Sequence, residues 1–151
     1  MRPPWSLLAL LALAPAAFAG PRPTWGVEGG SPQRAAATFG LLLGDARGDG
    51  FDLGRNLVLV QAQPGLGGGR LSVGFAPFAA GSSGLVFAGV AVKASLLRTW
   101  GEPKGVPAGR TYAGASLDVA WVVKGSLGVM KRVGGDGRSD TLVAWSLGLG
   151  L

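Results

Sequence analysis

From Thr141 to its end the chain alternates with a period of two. Thr141, Val143, Trp145, Leu147, Leu149 and Leu151 fall on one side; Asp140, Leu142, Ala144, Ser146, Gly148 and Gly150 fall on the other. Successive side chains of an extended strand point to opposite faces. The segment therefore presents one bulky apolar face and one face that is mostly small or polar. Residues 110–122 repeat the arrangement, with Ala113, Ala115, Leu117, Val119 and Trp121 opposed to Tyr112, Gly114, Ser116, Asp118 and Ala120. Residues 70–78 do so again, Leu71, Val73 and Phe75 standing against Arg70, Ser72, Gly74 and Ala76. Segment 124–133 alternates less cleanly because Lys131 falls among Leu127, Val129 and Val133. In 85–97 both faces are apolar, which leaves its orientation open.

Helix is disfavoured throughout. The chain has 28 Gly in 151 residues, and each costs a helix up to about 1 kcal/mol relative to Ala. Adding segments 24–29, 34–43 and 56–63 brings the strand count to eight. The breaks between them, 30–33, 45–55, 64–69, 80–84, 101–109, 123–124 and 134–138, are rich in Gly, Pro, Asp and Ser. Gly81-Ser82-Ser83-Gly84 and Gly134-Gly135-Asp136-Gly137 suit hairpin turns. Eight antiparallel strands in up-and-down order can close on themselves and leave no edge. The expectation is an all-β fold, an up-and-down antiparallel β-barrel of about eight strands.

The first residues read differently. Arg2 precedes an unbroken apolar run, Leu7–Ala14, and Ala17-Phe18-Ala19 carries small residues where a signal peptidase reads them. Pro15 interrupts the apolar stretch, which is shorter than the roughly 20 residues of a spanning helix. The pattern predicts a signal peptide over 1–19 and one barrel domain over 20–151, hence an exported protein. With neither Cys nor His, the chain has no disulfide, thiol nucleophile, imidazole base or imidazole metal ligand to offer. Charged residues are 15% and apolar ones 48%, a composition that argues against disorder. The net charge is +6, but the basic residues are spread thinly. A nucleic-acid binder clusters them, so no nucleic-acid partner is expected; anionic headgroups or solvated loops account for them more simply.

A soluble barrel keeps its bulky residues inside, whereas a membrane barrel turns them toward lipid and keeps small or polar ones inward. The less apolar faces here are Gly, Ala and Ser with occasional Asp or Arg, sizes that suit a narrow eight-stranded lumen. Trp25, Trp100, Tyr112 and Trp121 fall near strand ends, where interfacial aromatics belong. In these features, and most in 110–151, the chain resembles the small outer-membrane β-barrel proteins of two-membraned bacteria. Its closing Ala144-Trp145-Ser146-Leu147-Gly148-Leu149-Gly150-Leu151 looks like the terminal strand by which such proteins are recognised, although that family usually ends in an aromatic residue. The resemblance implies an outer-membrane location, a structural, interaction or minor transport role, and lipid and the membrane's assembly machinery as partners. It also implies short connections on the side of the termini, where 45–55 would fall. The alternative is a periplasmic or secreted soluble barrel whose bulky residues line a cavity for a hydrophobic small molecule.

The motifs carry little chemistry. Arg47-Gly48-Asp49 matches an adhesion tripeptide but reads as turn residues. Asp45, Asp49 and Asp52 share a loop without the spacing or closing Glu of an EF-hand. Gly65–Gly69 lacks the Lys-Ser/Thr of a phosphate loop. On the alternation, Glu28, Asp118, Arg132 and Asp140 face the lumen of the first and last three strands. Buried charges of opposite sign should pair there. No catalytic centre, cofactor or metal site is expected.

Overall fold

The computed structural model describes residues 21–43, 50–82, 85–102, 106–135 and 140–150, with the backbone alone over 50–56, 78–82 and 85–87. The export signal expected over 1–19, Asp45, the adhesion-like tripeptide, Ser83 and Gly84 of one expected turn and Asp136 and Gly137 of the other lie outside the described residues, and of Asp52 only the backbone is described. Eight strands follow one another: β1 (Arg22–Ser31), β2 (Arg34–Leu43), β3 (Gly50–Pro64), β4 (Gly68–Ser82), β5 (Leu85–Thr99), β6 (Thr111–Ala120), β7 (Val123–Gly134) and β8 (Thr141–Gly150). Each pairs antiparallel with its sequence neighbour, and β1 pairs with β8 to close the barrel.

The wall is inside-out by the standard of a soluble protein. Along β8 the residues Val143, Trp145, Leu147 and Leu149 are exposed while Ala144 and Ser146 are buried. β7 buries Lys124, Ser126, Met130 and Arg132 and exposes Leu127, Val129 and Val133. The bulky residues therefore do not line a ligand cavity, as the soluble-carrier alternative would require. The open question of β5 is settled by its charge: Lys93, Ser95, Leu97 and Thr99 point inward, Val92 and Leu96 outward. Its phase changes between Ala88 and Ala91, both buried, opposite a register shift at Phe75/Phe78 in β4.

Several strands run past their expected bounds: β1 covers Arg22–Ser31 where 24–29 was expected, β4 reaches Ser82 into the expected turn 80–84, and β7 begins at Val123 within the expected break. The largest departure is at β3. β3 begins at Gly50, so much of the expected connection 45–55 is strand. Gly50, Asp52 and Gly54 look like breakers in sequence, yet 50–53 find ladder partners in Phe78–Gly81 of β4, which satisfy their backbone groups whatever the side chains. Only 44–49 remain between β2 and β3, and two residues suffice between β4 and β5 and between β6 and β7. Connections at the end bearing the termini are thus short. The longest, 100–110 between β5 and β6, lies at the opposite end.

Inside, polar and apolar layers alternate. Leu42, Leu57, Leu59, Ala76 and Ala91 cluster toward the end with the termini. Leu97, Val106, Tyr112, Met130 and Ala144 cluster toward the other. Along β5, Ala91 belongs to the first cluster and Leu97 to the second, and Lys93 lies between them.

Candidate functional site: the polar centre of the lumen

All eight strands send a side chain into one hydrogen-bonded network, and Glu28 of β1 is its hub. Glu28 Oε1 accepts from Lys124 Nζ of β7 at 2.8 Å and from Gln63 Nε2 of β3 at 2.6 Å. It also accepts from the Thr38 hydroxyl of β2. Glu28 Oε2 accepts from the Ser146 hydroxyl of β8 and faces Arg70 Nη2 of β4 at 4.0 Å. Arg70 Nε in turn donates to Gln63 Oε1.

Asp118 of β6 is the second anion. Its Oδ2 pairs with Lys93 Nζ of β5 and lies 3.8 Å from Lys124 Nζ, so Lys124 links the two carboxylates. Lys93 Nζ also donates to Gln61 Oε1 at 2.8 Å. A hydroxyl row, Ser72–Ser95–Ser116, runs beside it across β4, β5 and β6 at 2.9 and 3.4 Å. An ion inside a low-dielectric wall is tolerable only when paired and hydrogen-bonded; this network gives every charge an opposite neighbour, while Arg70 Nη2 and Asp118 Oδ1 lack a hydrogen-bond partner among the described residues. It is also tightly filled, with Lys93 and Gln63 1% exposed and Arg70 2%.

The four expected lumen charges are not one group. Glu28 and Asp118 belong to the central network. Arg132 and Asp140 sit nearer the mouth opposite the termini, where Asp140 Oδ2 pairs with Arg110 Nη1 at 2.9 Å and Oδ1 lies 3.5 Å from Arg132 Nε. Tyr112 is a correction. It was expected among the interfacial aromatics, yet it is 1% exposed and its hydroxyl lies 3.4 Å from Asp140 Oδ2. Its register position is inward, and its phenol suits a place with an apolar cluster on one side and an ion pair on the other. Trp25, Trp100 and Trp121 are all more than half exposed. Trp100 turns back over Gly69, where any Cβ would fall on its ring.

Sequence reasoning did not assign Arg70, Lys93, Lys124, Gln61 or Gln63 to the network. For four of them a signal was present: Gln61 and Gln63 alternate with Val58 and Val60, Arg70 with Leu71, and Lys124 with Val123. Lys93 stands in a run apolar on both faces and gave none. Chemically, the arrangement sets three cations around two carboxylates, ties all eight strands together and blocks the passage at its level. The chain matches no protein-family model, no curated protein and no solved structure.

Proposed function

We propose that this chain is an integral outer-membrane β-barrel with a structural or interaction role and no catalytic centre. The observation that carries the reading is the inverted wall. Among the described residues 26 large apolar side chains are exposed, 22 of them on the strands, around a lumen of paired charges. Soluble monomers rarely expose apolar patches beyond a few hundred Å², whereas a closed barrel with this polarity suits lipid. Strands of 10–15 residues meet the roughly 9–11 needed to cross the hydrocarbon at a tilt. The filled lumen favours a structural or interaction role over passage of a solute, and the paired lysines and arginines neither present a nucleophile nor open onto a cleft.

Two measurements test this. Cell fractionation followed by a denaturing gel, with and without boiling, should place the protein in the outer membrane and show a mobility shift on heating. Recovery as a soluble periplasmic protein without a shift would overturn the reading. The second test replaces Leu147, exposed at the middle of β8. Leu147→Arg should weaken assembly by about 2–4 kcal/mol near the midplane, and unimpaired assembly of that variant would contradict the lipid-facing assignment.

A further inference from the structure

Charge on the outer wall is one-sided. Among the residues whose side chains are described, the strand acids Glu28 and Asp118 face the lumen, and Glu102 and Asp140 lie in connections. Arg98 of β5 and Lys131 of β7, by contrast, are exposed on the outer face. They sit at the end away from the termini. Arg98 pairs in register with Thr111, while Lys131 pairs with Ala113 on one side and Thr141 on the other. Arg98 and Thr111 thus face outward side by side, and Lys131 and Thr141 do so two residues nearer the termini, with the exposed Val133 beside them; together they make a staggered outward polar patch across four adjacent strands. Arg98 Nη1 donates to Thr111 Oγ1 at 3.0 Å, which holds the guanidinium over β6. Neither cation has a carboxylate within ion-pair distance among the described residues. Toward the termini the same strand faces become apolar at once, with Leu96 and Val129.

We infer that this patch binds the phosphate of a phosphorylated lipid whose acyl chains lie along the apolar wall below it. The inference rests on the membrane reading above. Two cations and two hydroxyls match a phosphate oxyanion, because charge-assisted hydrogen bonds from guanidinium and ammonium are the strong ones. The position argues for a lipid over a free anion: the patch lies against the apolar wall, with Leu96, Val129 and Val133 exposed beside it, and a molecule with a phosphate and chains satisfies both surfaces. Arg34 does not join it, since its Nη2 is engaged by the Glu102 carbonyl at 2.6 Å.

The test uses the full barrel folded into phosphatidylcholine vesicles that contain a small share of chain-brominated lipid, either phosphatidylcholine or phosphatidic acid. Tryptophan quenching reports which lipid is enriched at the wall. Each basic residue at an anionic surface is worth roughly a fivefold preference. The expected result is a clear preference for phosphatidic acid that Arg98→Gln combined with Lys131→Gln removes, while the double variant still folds and shifts on heating. Equal quenching by the two lipids, or a preference that persists in the double variant, would overturn the site. Binding of inorganic phosphate that depends on Arg98 and Lys131, with no preference for phosphatidic acid, would assign the patch to a free anion and overturn the lipid. Failure to enter vesicles of either composition would overturn the membrane reading itself, and so is distinct from entry without preference.

Discussion

Glu28 is 7% exposed and receives donors from five other strands' side chains or faces them. Removing its charge leaves Lys124 to share Asp118 with Lys93 and leaves Arg70 without its near carboxylate. Deleting one partner of a buried pair costs about 3–5 kcal/mol because the other remains buried and uncompensated. Glu28→Gln should therefore lower barrel stability by about that amount in urea unfolding from vesicles. Adding Lys124→Met should recover part of the loss, since it removes the stranded ammonium. A double variant as unstable as the sum of the two singles would mean that the two side chains are not coupled. Glu28 was legible in sequence because a carboxylate among Trp25, Val27 and Gly29 stands out on the opposite face. Lys93 was not, because Val92 and Ala94 on one side and Ala91 on the other hide its phase. Long side chains compound the problem: Arg70 and Lys124 begin on distant strands and meet at Glu28, a convergence that alternation on single strands does not contain.

The strands differ in how they are stitched. β5 and β6 share ten register pairs, whereas β1 and β8, which close the barrel, share six. At that seam Gly148 faces Glu28, and a Cβ there would run into Val27 O and the Glu28 Cα. Gly125 on neighbouring β7 is different, for a Cβ would meet only Leu147 Cδ1 at 4.0 Å. Gly148→Ala should thus cost about 1–3 kcal/mol as an overpacked contact, and Gly125→Ala should stay within about 0.5 kcal/mol. The temperature at which the folded gel band disappears distinguishes them, and equal values would mean that the seam tolerates separation. The element count and up-and-down order were readable because bulky and small residues alternate so strictly in β4, β6 and β8. β2 was readable to its end residues, Arg34 and Leu43. What was lost is the start of β3, where Gly50 and Asp52 imitate a turn. Their strand state depends on β4 lying alongside, a non-local contact that local composition does not carry.

At the scale of the whole molecule, the wall predicts a depth for each tryptophan of the barrel domain. Trp25 lies at the end with the termini, beyond the last β1–β8 register pair, and Trp121 follows β6 at the same end. Trp100 follows β5 at the opposite end. Trp145 is mid-strand on β8, opposite Leu127 of β7, with Val143 and Leu147 exposed on either side of it. If lipid covers this wall, Trp145 is deepest and the other three lie near the two interfaces, where indole nitrogens can reach water or headgroups. Four single-tryptophan variants, with Phe at the other positions, turn this into a measurement in vesicles whose chains are brominated at known depths. Trp145 should be quenched most by bromine near the chain ends, and Trp25, Trp100 and Trp121 by bromine near the carbonyls. Since Trp25 and Trp100 mark opposite ends of the barrel, shallow quenching of both requires that the barrel cross the bilayer rather than lie on it. Quenching of all four by aqueous iodide, with none by the brominated chains, would instead mean that water covers the wall. The same apolar face would then need a protein partner to bury it.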